Sequence, residues 1–154
     1  MPTLQQAQEL KDFVEEIFSI SKAFWGAQSR ARGRQETEIT ETEFLTLDLL
    51  LRDGNSMTVG DIQRQIGVLP AQMSRVIRSL EAKTDGPLIT CKINPSDKRK
   101  IDVELTDAGR QAHQQYRRVK LGSIEKMLLN LTDQDRADLM RLLRKVRDSL
   151  HNHQ

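Results

Sequence analysis

Apolar residues recur three and four apart through the start of the chain, at Leu10, Phe13, Val14, Ile17, Ile20 and Phe24, with glutamates and lysines between them. That spacing lines one face of a helix, so a long amphipathic helix is expected over about 3–30. The polar, basic stretch Gln28–Arg34, which contains Gly33, reads as the loop that ends it. Thr40-Glu41-Thr42-Glu43 has the form of a capping box directly before Phe44, Leu45, Leu47 and Leu49–Leu51. A second helix over about 41–53, stopped by Gly54, follows. Thr58 can cap a short third helix through Ile62 and Ile66 to Gly67, and Pro70 suits the first turn of a fourth. The inner face of that fourth helix is Met73, Val76, Ile77 and Leu80. The period then changes. Leu88–Ile93 and Ile101–Leu105 are β-rich, and the turn residues and charges of Asn94–Lys100 between them predict a hairpin with a charged tip. Thr106 can cap a fifth helix over about 107–129, through Ala112, Tyr116, Val119, Ile124 and Leu128. Thr132, with Asp135 three residues on, opens a sixth carrying Leu139, Leu142, Leu143, Val146 and Leu150.

Composition narrows the class. Hydrophobic residues make up 37% of the 154 and charged residues 30%. No run approaches the ~18–20 consecutive apolar residues of a membrane span. The opening stretch has acids where a secretory signal has a basic start, so a cytoplasmic protein without membrane contact is expected. One cysteine, Cys91, can form neither an internal disulfide nor, alone, a thiolate metal site. Four of the six aromatics (Phe13, Phe18, Phe24 and Trp25) fall in the first helix, which points to a large surface for that helix to pack on.

The net charge of +2 conceals an uneven distribution. Residues 35–60 hold one base and six acids, a net of −5. Residues 61–100 hold eight bases and four acids, a net of +4, and residues 107–120 hold four bases and one acid, a net of +3. A basic centre suits a polyanion partner, and it equally suits solvated helix faces.

The two short helices across Gly67 have helix-turn-helix spacing. In DNA-binding versions the second helix enters the major groove with its N-terminal residues leading. Its outward positions here include Gln72, Ser74, Arg75 and Arg78, whose donors and acceptors suit base edges or phosphates. A helical hairpin with a polar outer face is the competing reading. Lys98, Arg99 and Lys100 sit at the tip of the hairpin that follows, where such a hairpin serves as a wing reaching phosphates or a minor groove. Lysines on a hairpin can also protect an edge strand from pairing.

The run from Met57 to Gly67, then Met73–Glu81, then Asn94–Arg99 resembles the MarR family of regulators. Its most specific part is Asp97-x-Arg99 followed by Leu105-Thr106-x-x-Gly109. The resemblance implies a mainly α fold with a small β-hairpin wing. Residues 1–34 would be the N-terminal dimerisation helix and loop, 35–106 the winged helix-turn-helix lobe, and 107–154 the C-terminal dimerisation helices. It also implies a homodimer that binds a pseudo-palindromic operator in double-stranded DNA, as a repressor. Ser74 and Arg75 match DNA-contacting positions, Arg99 matches the wing arginine that enters the minor groove, and Asp97 matches the acid that orients it. Two features depart from the pattern. Leu69 stands where a polar residue usually caps the recognition helix, and Lys83–Pro87 lengthens the passage into the wing.

Family resemblance also implies release by a small aromatic acid or an oxidant. Phe24, Trp25 and Phe44 are candidates to line an effector pocket, against the simpler reading of core or dimer packing. Cys91 could sense oxidants, but no resolving thiol exists in the chain, which favours a partly buried inert thiol. His113, His151 and His153 are too scattered to bind zinc, and His113 is expected at a surface or an interface. Arg30, Arg32 and Arg34, and Arg110, Arg117 and Arg118 on the fifth helix, are further candidates for phosphate contact. No phosphate loop, nucleophile elbow or metal-ligand spacing occurs, so neither catalysis nor a cofactor is expected. The alternative function is a winged-helix module that binds another protein.

Overall fold

The computed structural model describes residues 1–32 and 39–152, with backbone alone for 24–32 and 123. In chain order these form α1 (Leu4–Arg32), α2 (Glu41–Arg52), β1 (Ser56–Thr58), α3 (Val59–Ile66), α4 (Pro70–Glu81), β2 (Ile89–Ile93), β3 (Ile101–Leu105), α5 (Asp107–Leu128) and α6 (Asp133–His151). They divide into two compact units, Met1–Arg30 with Val119–Gln154, and Ala31–Arg118.

In the Ala31–Arg118 unit, side-chain caps open three helices. Thr40 Oγ1 accepts from the Glu43 amide at 3.2 Å, Thr58 Oγ1 from the Asp61 amide at 3.2 Å, and Thr106 Oγ1 from the Gly109 amide at 3.0 Å. Each cap pairs an amide that the first turn leaves without a partner, worth about 1 kcal/mol. α3 stops at Gly67, whose φ of +78° is the left-handed conformation a glycine adopts without strain. α4 starts on Pro70, and Leu69 before it makes no side-chain cap.

The sheet has three antiparallel strands in the order β1-β3-β2, one more than the predicted hairpin. β1 is too short for alternation to reveal it. It pairs Met57 with Val103, while β2 pairs Cys91 with the same residue from the other side. Thr58 ends β1 and caps α3 with no residue between. Leu47, Leu50, Ile62, Met73, Leu80, Ile89 and Val103 are fully buried between helices and sheet, each stabilising the unit by about 1.5–3 kcal/mol. α5 begins hard against the wing. A Cβ on Gly109 would collide with the Leu88 carbonyl and the Leu105 side chain, so the approach requires glycine.

The other unit contains most of α1, the last part of α5 and α6. α1 runs as helix through Arg32, past Gln28 where a loop was expected, because nothing in Ser29–Arg32 breaks a helix. Gly33 and Arg34 lie outside the described residues. Thr132 Oγ1 accepts from the Asp135 amide at 3.1 Å and opens α6 as its spacing predicts. Arg136 Nη1 donates to the carbonyls of Leu128 and Leu131 at 3.2 and 2.5 Å, closing the preceding turn. The apolar stripes of both long helices are exposed in the single chain, at Leu10, Phe13, Val14 and Ile17 on α1 and Leu142, Leu143, Val146 and Leu150 on α6.

Candidate nucleic-acid interface

α4 is sharply two-faced. Met73, Val76, Ile77 and Leu80 are buried, while Gln72, Ser74, Arg75 and Arg78 are exposed. Arg78 Nε donates to the Ser74 carbonyl at 3.3 Å, along its own helix. The outward face therefore presents amide, hydroxyl and guanidinium groups to solvent.

The wing is built to hold a definite shape. Asn94 Oδ1 accepts from the Ser96 and Asp97 amides at 2.9 and 3.0 Å, and its Nδ2 donates to Asp102 at 3.0 and 3.2 Å. Backbone bonds from Asn94 N to Lys100 O and from Lys100 N to Asp97 O close the loop. At its tip Asp97 takes three bonds from Arg99: the amide and Nε reach Oδ1 at 3.1 and 3.2 Å, and Nη2 reaches Oδ2 at 3.4 Å. Side-chain bonding from Arg99 first, then its amide, holds the Asp97 carboxyl below the usual carboxylate range. The Arg99 side chain remains 91% exposed. Its guanidinium is thus aimed by Asp97 on one edge and open to solvent on the rest. Lys98 and Lys100 are also exposed.

Between wing and α3 lies an open pocket of about 430 Å³ lined by Thr58, Val59, Gly60, Arg64, Arg99, Lys100 and Ile101. Arg64 pairs with Asp61 one turn earlier on α3. The passage from α4 to β2 turns at Gly86 (φ +120°), whose amide bonds to the Lys83 carbonyl at 3.2 Å.

The other candidates fall elsewhere. Phe44 stacks on His113 (4.9 Å between centroids) and on Tyr116 (4.5 Å), while the side chains of Phe24 and Trp25 lie outside the described residues. His113, expected at a surface or interface, is instead 3% exposed, with Nε2 2.8 Å from Asp48 Oδ1. The missed signal is Asp48 on α2, 65 positions away in sequence. Cys91 is half-buried, and burial first, then the Glu81 carboxylate, pushes its thiol up to about 11. A thiol held protonated in this way is a poor nucleophile near neutrality. His151 bonds the Arg147 carbonyl at 2.9 Å, and His153 lies outside the described residues. Arg110, Arg117 and Arg118 are exposed along α5, while the side chains of Arg30, Arg32 and Arg34 lie outside the described residues.

A sequence model of the MarR family matches residues 39–101, the helix-turn-helix and most of the wing. The HTH-type transcriptional regulator YwaE of Bacillus subtilis strain 168 is 31% identical over 142 residues, covering 88% of this chain and 81% of that protein. The chain belongs to the MarR family. As a MarR-family protein it is a DNA-binding transcriptional regulator with a winged helix, and its family and relatives are regulators rather than enzymes. Solved structures share the fold. Streptococcus pneumoniae FabT in complex with DNA is 19% identical with a TM-score of 0.69, over 96% of this chain and 99% of that one. The organohalide-sensing regulator RdhR-CbdbA1625, bound to 2,4-dichlorophenol, is 19% identical with a TM-score of 0.66, over 97% and 86%.

In this MarR-family chain the structure also shows groups that spacing did not single out. Arg64 joins Arg99 and Lys100 around the wing pocket, and Asn94 with Asp102 braces the wing. Glu43, read as half of a capping box, accepts from the Thr40 hydroxyl and also reaches Ser79 and Lys83 with its carboxylate. Among the described residues, no group of three or more His, Cys, Asp or Glu side chains could hold a metal ion, and no helix is long and apolar enough to cross a membrane.

Proposed function

We propose that this regulator is a repressor that binds a pseudo-palindromic operator as a homodimer and acts in the cytoplasm. α4 would enter the major groove with Gln72, Ser74, Arg75 and Arg78 reading bases. Arg99 would enter the adjacent minor groove, where a narrow A·T-rich site attracts a guanidinium. Lys98, Lys100 and Arg64 would neutralise phosphates. The observation that carries the reading is the Asp97-held Arg99, exposed on a braced wing in the same compact unit as the polar face of α4. FabT, solved on DNA, supports the DNA partner. The exposed apolar stripes of α1 and α6 support the homodimer, since patches of this kind mark association surfaces. RdhR-CbdbA1625 with its dichlorophenol supports a small aromatic effector as the releasing signal. Cys91 argues against an oxidant, since its thiol is held protonated.

Fluorescence anisotropy tests the reading with two duplexes, one from upstream of the protein's own gene and one shuffled, at about 50 and 200 mM salt. The upstream duplex is expected to bind more tightly at both salts. Equal binding that collapses with salt would reduce the interface to a basic surface and favour a protein partner.

A further inference from the structure

The recognition helix meets its unit through two kinds of contact. Its apolar face is buried in the core and fixes which side of the helix turns inward, leaving small rotations for directional contacts to set. Polar contacts set direction, and at the start of α4 Leu69 supplies none. At the other end Ser79 Oγ donates to Glu43 Oε1 at 3.4 Å. Just past that end, Lys83 Nζ lies 2.8 Å from Glu43 Oε2, with 17% of the lysine side chain exposed. Glu43 itself is 5% exposed, in the first turn of α2. Its backbone is fixed by the Thr40 cap, and the Thr40 hydroxyl also donates to Oε1 at 3.3 Å.

We infer that Glu43 is a positioning residue for DNA recognition: the cluster that buried Glu43 forms with half-buried Ser79 and Lys83 sets the fine rotation of α4 and so aims Arg75 and Arg78. The inference rests on the base-reading role given to α4 above. Side-chain tips ride roughly 6 Å from a helix axis, so a rotation of about 10° carries them about 1 Å. That is enough to spoil a hydrogen bond whose useful range spans about 0.5 Å. A purely stabilising role is the weaker account. A buried ion pair adds little net stability over apolar residues of similar volume, whereas leaving one partner alone is costly.

The test uses the full-length protein and a duplex that wild type enriches from a random pool. For each variant, the ratio of affinities for that duplex and a shuffled one is measured beside Tm. Glu43→Gln is expected to lower Tm and to cut discrimination about tenfold, the scale of one bidentate base contact. The double variant Glu43→Gln/Lys83→Met is expected to recover Tm while discrimination stays low. Ser79→Ala strands no charge, keeps the fold, and is expected to lose discrimination by a smaller factor. Discrimination that returns with Tm in the double variant, or is unchanged in all three, overturns the inference and leaves the operator-binding reading intact. A pool in which wild type enriches nothing overturns both.

Discussion

Arg99 points from the wing in a direction decided before DNA arrives, because Asp97 holds it through three hydrogen bonds. Asp97→Asn separates aiming from charge. Removing an acid raises net charge by one, which phosphate electrostatics alone would turn into tighter binding. If Asp97 aims Arg99, affinity for a duplex with a narrow A·T-rich minor groove falls instead, and an anisotropy titration reads the sign. Since the folded Asp97 carboxyl titrates below its ordinary value, the pairing is present above the usual carboxylate range and lost only as pH falls through the lowered value. Binding should therefore show no Asp97 dependence on pH down to about 5. Arg75 carries a different expectation. Arg75→Ala should weaken specific binding by about 1–3 kcal/mol and leave shuffled duplex almost unaffected, if it pairs with a base edge. Equal losses on both duplexes would place it on the phosphates. The Asp97–Arg99 pairing was legible through the resemblance to the MarR family, whose wing motif carries both residues within three positions. Glu43 was not, since its partner Ser79 lies 36 positions away and only the packing of α2 on α4 joins them.

Elements were legible where a cap or a period marked them. Thr40, Thr58, Thr106 and Thr132 all accept the amide expected of a helix-opening residue. β1 was hidden because three residues carry no readable alternation, and its strand character comes from pairing with β3. α1 is helical to Arg32, two residues past the expected end near 30, since a basic, polar run without proline can continue a helix as readily as leave it. α4 offers the clearest test at this scale. Leu69 has extended backbone (φ −70°, ψ 151°), the geometry of a capping residue, without an oxygen to cap with, and it is 74% exposed. Leu69→Ser should stabilise the protein by about 1 kcal/mol, and calorimetry should find Tm raised by about 2–8 °C. An unchanged Tm would mean that Pro70 already satisfies the first turn.

Among the described residues, exposed apolar surface is concentrated on α1 and α6, while exposed bases stand on α4, the wing and α5 and also, as Arg141, Arg144, Lys145 and Arg147, on α6. The two surfaces call for different partners, a second copy of the chain and a polyanion. Leu143→Glu puts a charge into the α6 stripe, where Leu143 is 55% exposed. Sedimentation should show the homodimer replaced by monomer, with operator affinity falling because only one half-site can be engaged at a time. A dimer that survives would move the interface off α6. Thr58 has a consequence of another kind. It closes β1 against β3 and caps α3 in the same residue, so strand and helix meet with no slack. An inserted or deleted residue there would shift either the Met57–Val103 pairing or the first turn of α3, since both cannot be kept. Between Lys83, held by Glu43, and Pro87, whose carbonyl accepts from Thr106, residues 84–86 have no such double duty. Among regulators descended from a common ancestor, chain length should therefore drift at the approach to the wing and stay fixed at the junction of β1 with α3.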